Sequence, residues 1–377
     1  MTSPVVVVLA YKRPVALRRL LQSLSSAEVP IGTRLLISVE GEPSPEVVDI
    51  AQSFVSQKYT TEVVFRKQRL GLLNHVIECG NFALDYGSLI MLEEDLVVDK
   101  FFYSFAQQAL EHYQDEETVA GVALYGPEYN ESAQTKFVPM HNGYDTYPMQ
   151  VPCSWGQCWT ADQWSGFKEW FVDKTEKSLE GTLFIPQNVK NWPASSWKKF
   201  FYGFMVETNK VFVYPYRSLS TNVSDAGGMH ITEGTNLFQV ALPSPFREKP
   251  VYSFAPVDEA EVAYDAFMEP VGEFVWKSIN LKKGEVEVDL YSSKPLSLLR
   301  SKPFTLTGHN VRKPIRSFDA RFQPHEMNLF IESASAGEKG FSLAESLSIR
   351  IPKRLWRRAF RWLRFFPKRL QQTIWVR

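Results

Sequence analysis

Cysteine is scarce in this chain: three residues, Cys79, Cys153 and Cys158, an odd number without framework spacing. That excludes a disulfide scaffold and points to a reducing compartment. Cys153 and Cys158 lack a second pair of Cys or His at zinc spacing, so they read as small buried residues. No apolar run approaches the ~18 residues that span a bilayer. The opening MTSPVVVVLA is apolar but short, with no basic region before it, and reads as a first buried strand rather than a secretion signal. The expectation is a cytosolic or membrane-peripheral protein. Internal repeats and low-complexity segments are also missing.

What is there describes a folded protein. Hydrophobic residues make up 44% and charged residues 22%, which separates the chain from disordered sequences. Its 377 residues can bury a full core in one large domain plus an appendage, or in two domains. Aromatic content is high, with 10 Trp; such side chains often stack on sugar rings or nucleobases, though most belong to cores. The net charge of zero hides an asymmetry. Residues 350–377 carry ten Lys and Arg and no acid, which leaves 32 basic against 42 acidic residues, about −10, on the body.

The first 125 residues alternate strands and helices. Val5–Ala10 is a continuous β-branched run, as in a strand covered on both faces. Pro14 opens a helix with Leu17, Leu20, Leu21 and Leu24 at helical spacing. Strands follow at Leu35–Val39, Thr61–Phe65, Ser88–Leu92 and Val119–Leu124, with helices at Glu46–Ser56, Leu72–Tyr86 and Lys100–Tyr113. Repeated β-α units predict a Rossmann-like, mostly parallel, doubly wound α/β sheet. Gly126–Val151 is rich in Pro, Tyr, Asn and Gly and reads as a pocket-shaping loop. Ala161–Val172 and Trp197–Asn209 read as helices joined by a Trp-containing loop. Val211–Tyr214 reads as a short strand leading to the Gly-rich loop Ser224–His230. Beyond Pro250, short strands at Glu285–Tyr291, Phe304–Thr307 and Asn328–Glu332 predict a small β-rich appendage.

The densest signal is Glu93-Glu94-Asp95, which closes the apolar run Ser88–Leu92. A buried strand ending in carboxylates places them at the carboxyl edge of a sheet, where open α/β folds bind ligands. Three adjacent acids repel one another unless a cation neutralises them, and hard oxygen ligands suit Mg²⁺ or Mn²⁺, which can hold a diphosphate. The competing reading is a strand that runs out into a solvated, charged turn.

Set side by side, these segments resemble the GT-A glycosyltransferases, in particular family-2-like bacterial enzymes and more distantly N-acetylglucosaminyltransferase I, over roughly residues 4–245. Val8-Leu-Ala-Tyr-Lys-Arg-Pro14 is similar to the family's first strand-loop, which implies Tyr11 and Arg13 beside the donor nucleotide. Glu40 falls where the family places an acid, usually Asp, that accepts a hydrogen bond from the base. Arg69-Leu-Gly-Leu-Leu-Asn74 looks like the element before the helix under the nucleotide, so Arg69 and Asn74 inherit that role. Leu92-Glu-Glu-Asp-Leu96 is similar to the metal and donor motif, with Asp95 implied as metal ligand and Glu94 and Glu93 facing ribose or sugar. Ser154-Trp-Gly-Gln-Cys-Trp159 resembles a sugar-pocket floor, which points to Trp155 and Gly156. Asn222…Asp225…Gly228-Met-His230 resembles a segment closing over the diphosphate, with His230 an implied metal or phosphate ligand.

An inverting transfer needs a base for the acceptor hydroxyl. The family's Ser-Trp-Asp is here Ser196-Trp197-Lys198, and a lysine is normally protonated near neutral pH. Asp225 and Glu207 are the candidate bases; otherwise activity is lost, or the transfer is retaining.

In the tail, Leu355, Trp356, Ala359, Phe360, Trp362, Leu363 and Phe366 recur at helical spacing among five arginines. That is the pattern of a basic amphipathic helix lying on an anionic membrane, where each basic residue contributes about 1 kcal/mol. A nucleic-acid tail and a helix docked on the acidic body are the alternatives, and the apolar face argues against nucleic acid.

The expectation is thus a GT-A domain over 1–248, an accessory module over 249–349 and a membrane helix over 350–377. It uses Mn²⁺ or Mg²⁺ and a nucleoside-diphosphate sugar, with UDP preferred. The acceptor is lipid-linked or an oligosaccharide, at the cytoplasmic face of a bacterial inner membrane. Rival readings are a catalytically silent binding subunit and a sugar nucleotidyltransferase. The latter is disfavoured because no Gly-rich phosphate loop follows Val5–Ala10.

Overall fold

The computed structural model describes residues 3–182, 184–226, 233–330 and 340–350. The tail expected to form a membrane helix, apart from Arg350, and the candidate ligand His230 lie outside them. Among the described residues no helix is long and apolar enough to cross a membrane.

Strands β1 (Val5–Ala10), β2 (Thr33–Val39) and β3 (Tyr59–Phe65) alternate with helices α1 (Pro14–Ser26) and α2 (Pro45–Ser53). The chain then returns through α3 (Leu72–Gly80) and α4 (Phe82–Tyr86) to β4 (Ser88–Glu93), which pairs with the other side of β1. The strand order β3-β2-β1-β4 therefore reverses direction between β1 and β4, and all of its pairings are parallel.

The remaining half is mixed. After the short strand β5 (Leu96–Val98), helix α5 (Phe102–His112) and β6 (Val119–Ala123), the expected loop 126–151 carries two pieces of strand structure. A small hairpin joins β7 (Tyr129–Asn130) to β8 (Thr135–Lys136), and β9 (Thr146–Met149) forms the sheet's outer edge. The segment expected to floor a sugar pocket contains β10 (Gln157–Thr160), inserted antiparallel between β4 and β6. Next come α6 (Ala161–Phe171), the short α7 (Gln187–Lys190), α8 (Trp197–Glu207), β11 (Val211–Pro215) and β12 (Ser220–Asn222). β11 runs parallel to β6, and β12 pairs with β5. The central sheet is thus parallel-rich, with β9 and β10 as its antiparallel members.

Period-two alternation divides the apolar strands between two helical layers. Val6, Val8 and Ala10 pack with the leucines of α1 and the aromatic residues of α5. Val5, Val7 and Leu9 face the opposite layer, where Trp159, Trp164, Phe167, Phe201 and Phe204 make an aromatic core with α6 and α8. α8 ends where Asn209 adopts a left-handed φ of 53°, a usual stop for a helix. The single helix expected over Leu72–Tyr86 is broken at Asn81, which ends α3 and starts α4.

The appendage sheet takes the order β13 (Val286–Asp289), β14 (Phe304–Thr307), β16 (Phe341–Glu345), β15 (Arg316–Phe318). It has its own apolar cluster with α9 (Glu273–Ile279). The strand expected to begin at Asn328 is instead part of a 3₁₀ turn over His325–Phe330, in which the buried Asn328 amide bonds to Phe322 and His325 carbonyls. Residues Val262, Tyr264, Phe267 and Met268 pack into the core of the large sheet. The buried Lys294, just before the short helix α10 (Leu296–Leu299), pairs with Asp265 and Glu287, tying the appendage to that segment.

Candidate functional site

The site forms where the strand order reverses, at the carboxyl ends of β1 and β4, the crevice in which open α/β sheets bind ligands. Leu9 lies beside Glu93 in the β1–β4 register, so both strands release their loops at one level. Pro14 at the first turn of α1 leaves Arg13 at the helix entrance, facing the acidic triplet.

Arg13 is the cation that the three acids require. Its Nε donates to Glu94 Oε1 at 2.9 Å and its Nη1 to Asp95 Oδ2 at 3.1 Å. The Tyr11 amide donates to the other Glu94 oxygen at 2.7 Å, so both oxygens of Glu94 are engaged. Burial opposes the charge of the guanidinium, but Asp95 and Glu94 outweigh it and hold Arg13 more firmly protonated than usual. Burial raises the Glu94 pKa, with Arg13 and the Tyr11 amide working against that shift. Glu93 is pushed up to about 8, by burial first and then by Asp95, while Arg13 and Lys198 pull it down. Near neutral pH Glu93 is therefore largely protonated, a carboxyl able to donate as well as accept.

Asp95 Oδ1 is buried and has no hydrogen-bond partner. A buried unpartnered carboxylate oxygen is costly, and it is the kind of atom a cation satisfies. Among the described residues no three His, Cys, Asp or Glu side chains converge as a metal cage. The donor set fits a metal held by Asp95 together with ligand phosphates, which is how Mg²⁺ is commonly bound.

Glu40 is buried and works as a clamp: its Oε1 accepts from the Gly41 amide at 2.8 Å and the Leu70 amide at 2.9 Å. Behind it, the buried His75 bonds Ser38 Oγ through Nε2 at 2.8 Å, and burial lowers its pKa to about 4. These contacts pin the 66–71 loop over β2, where a Cβ on Gly41 would strike the Gln68 carbonyl carbon at 2.2 Å. Arg69 then stands over the Tyr11 ring at 5.6 Å, with Lys12 at 4.7 Å from the same ring. Asn74 is exposed on the first turn of α3 and bonds to the Leu70 carbonyl.

On the opposite side, Trp155 lies 4.7 Å from Tyr125 and 4.8 Å from Phe238 by ring centroids. Gly156 holds a φ of +94°, and a Cβ there would crowd Ser220 and Leu124, so this turn requires glycine. Ser220 Oγ donates to the Trp155 carbonyl at 2.6 Å, and the Val223 amide to the Asp95 carbonyl at 3.1 Å. These bonds bring the β12 segment beside the triplet. Asp225 is close by but is gripped by the Arg19 guanidinium of α1. Glu207 is not brought to the site. It ends α8 and bonds Trp170 Nε1 and Lys174 Nζ, whereas Lys198, whose charge reaches Glu93, lies nine residues earlier on the same helix. At 1.5 Å per residue that separation is roughly 13 Å.

Three participants, Trp192, Glu131 and Arg19, were not singled out from sequence. Lys198 Nζ sits 5.3 Å from both the Trp155 and Trp192 rings and 3.8 Å from Glu131 Oε1. Glu131 comes from the loop read as pocket-shaping and Trp192 from the Trp-containing connection between two helices, but nothing in their spacing marks them. Arg19, six residues after Arg13, has a sequence context like any amphipathic helix.

No protein-family model and no curated protein matches the chain. Solved glycosyltransferase structures do. S. aureus TarS 1–349 is 11% identical over 58% of this chain and 59% of that chain, with a TM-score of 0.38. The same TarS fragment in complex with UDP-GlcNAc is 10% identical over 58% and 57%, again with a TM-score of 0.38. The mannosyltransferase PcManGT from Pyrobaculum calidifontis, in complex with GDP-Man and Mn²⁺, is 11% identical over 61% and 59%, with a TM-score of 0.36. The chain spans less than two thirds of each of these. Similarity this distant carries no functional argument, and function is read from the site's own chemistry.

Proposed function

We propose that the chain is a glycosyltransferase that takes its sugar from a nucleoside-diphosphate sugar, with uridine as the nucleoside. The observation that carries this reading is the Arg13–Glu94–Asp95 cluster at the β1/β4 switch point, with Asp95 Oδ1 left unsatisfied. Such a crevice offers a guanidinium for a diphosphate and a carboxylate oxygen for its counter-cation. Asp95 would hold Mn²⁺ or Mg²⁺ there, and the bound ion would supply charge stabilisation to a departing diphosphate.

The protein's own groups account for the rest. The Tyr11 ring, flanked by Lys12 and Arg69, offers an aromatic face with positive charge at its rim for the nucleoside end. Glu40 acts at one remove, because its carboxylate positions the 66–71 loop. Glu93, largely protonated, and Trp155 supply a donor and an apolar face for the sugar. A groove of about 880 Å³ opens at the carboxyl ends of β6 and β11, lined by Gly126, Tyr216, Arg217 and Ser218.

In this reading the transfer inverts the anomeric centre, and the acceptor is a lipid-linked or oligosaccharide chain of bacterial surface polysaccharide or lipopolysaccharide assembly. The basic pattern of 350–377 supports an anionic membrane surface as partner, at the cytoplasmic face of the inner membrane. The charge asymmetry sets 350–377 apart from the proposed 1–248 domain, and the apolar cluster of α9 and β13–β16 supports an accessory module within 249–349.

Calorimetric titration with UDP, with and without Mn²⁺, beside Asp95→Ala, tests the reading. Metal-dependent binding that the variant loses is expected. No binding of UDP, GDP, dTDP or CMP would overturn it.

A further inference from the structure

We propose that Glu131 is the general base of the transfer, delivered to the reacting centre by Lys198. The inference rests on the glycosyltransfer reading. An attacking hydroxyl must surrender its proton to a group within hydrogen-bond reach, and a carboxylate is the usual choice beside a sugar.

The other candidate carboxylates are already occupied by hydrogen-bonded partners. Glu94 and Asp95 are paired with Arg13, Asp225 with Arg19, and Glu207 with Trp170 and Lys174. Glu131 also faces a cation, but without a hydrogen bond to it: its carboxylate lies 3.8 Å from Lys198 Nζ, and Lys198 is nearly enclosed between the Trp155 and Trp192 rings. The Trp155 beside that lysine is tied to the triplet through the β12 segment, since Ser220 Oγ donates to the Trp155 carbonyl and the Val223 amide to the Asp95 carbonyl. Glu131 itself keeps 37% side-chain exposure, so an acceptor can touch it.

The hairpin bearing it is anchored rather than loose. Asn130 is fully buried, its Oδ1 accepting from the Ser132 and Ala133 amides at 3.0 Å and its Nδ2 donating to the Phe267 carbonyl at 3.3 Å. Ser132 Oγ donates to Asn188 Oδ1 at 3.0 Å, tying the hairpin to α7. Glu131 is thereby fixed between β7 and β8, with its carboxylate turned toward Lys198.

In the reaction the acceptor oxygen forms a bond to the anomeric carbon and its proton passes to a Glu131 oxygen. The bond from that carbon to the diphosphate oxygen breaks, and its electron pair leaves with the diphosphate. With water as acceptor the same steps give hydrolysis, so release of UDP from UDP-GlcNAc or UDP-glucose, and of GDP from GDP-mannose, reports the base without a known acceptor.

The test compares wild type, Glu131→Gln and Glu131→Ala for nucleotide release across pH 5–9, with nucleotide affinity measured in parallel. The expected result is a loss of about 100-fold or more in kcat for Glu131→Gln, with nucleotide affinity changed less than about twofold. The acidic limb of the wild-type pH profile disappears in that variant, and formate restores part of the rate to Glu131→Ala. A merely structural ion pair would give neither the lost limb nor the rescue. Unchanged kcat in Glu131→Gln overturns the assignment, as does a wild type that binds nucleotide but releases none from any donor. A wild type that binds no nucleotide refutes instead the glycosyltransfer reading on which the inference stands.

Discussion

Replacing Arg13 by methionine isolates what the guanidinium does for the site. The side chain is 22% exposed, while Glu94 and Asp95 are at 7% and 12%, so the variant leaves two largely enclosed carboxylates without their cation. Breaking one partner from a buried pair costs about 3–5 kcal/mol. Partial exposure of Arg13 lowers that to roughly 2–4 kcal/mol at pH 7.5. The deficit depends on pH with a definite sign. Burial already raises Glu94, and without Arg13 the main interaction opposing that shift is gone, so the folded variant binds protons that the unfolded chain does not. Its stability therefore rises as pH falls from 7.5 toward 5, and the gap to wild type narrows. Urea unfolding followed by tryptophan fluorescence at the two pH values reads this directly. A loss below about 1 kcal/mol, or a gap independent of pH, refutes the view that Arg13 neutralises the cluster.

Glu93→Gln removes the other titrating group. A carboxyl raised to about 8 from 4.5 destabilises the fold increasingly as pH climbs through that interval. Because Glu93 is only half-buried, the gain at pH 8 relative to pH 5 is about 1–3 kcal/mol, measured by the same unfolding assay. Glu40→Ala strips the Gly41 and Leu70 amides of their acceptor and costs about 2–3 kcal/mol, whereas Glu40→Gln retains an oxygen and costs under ~1 kcal/mol. Thermal unfolding of the two variants side by side distinguishes them. Gly80→Ala places a methyl 2.0 Å from Trp164 Cζ2, deep in the aromatic core, and lowers stability by about 1–3 kcal/mol or more. A fully stable Gly80→Ala would contradict the packing of α3 against α6.

The amino-terminal half was legible because its strands are covered on both faces. Val5–Ala10 and Ser88–Leu92 are unbroken apolar runs, and a run of that kind between helices has few other uses. β10 escaped notice because Gln157–Thr160 has four residues, two of them polar, and its core credentials come only from the fully buried Cys158 and Trp159. β9 was hidden for a similar reason, since Thr146–Met149 contains a proline that edge strands tolerate and central ones do not. The 3₁₀ turn at His325–Phe330 has apolar residues that mimic a strand, but the Asn328 side chain satisfies backbone groups that a ladder would have used. Of the candidate site, the residues adjacent in sequence to strand ends were readable: Tyr11, Arg13 and the triplet. Those assembled by tertiary contact were not. The Arg19–Asp225 and Lys198–Glu131 pairs span 206 and 67 positions, and no local pattern connects them. Glu207, named as a candidate base, ends α8, at the opposite end of that helix from Lys198.

Hydrogen–deuterium exchange of the full chain, with and without UDP and Mn²⁺, tests most directly that the β1/β4 switch point is the nucleotide site. Protection is predicted in the segments 10–14, 66–72 and 93–98, where the backbone amides of Tyr11 and Leu70 and the Asp95 loop converge. Protection confined to the groove around Gly126, Arg217 and Leu242, with the switch-point segments unchanged, would contradict the account.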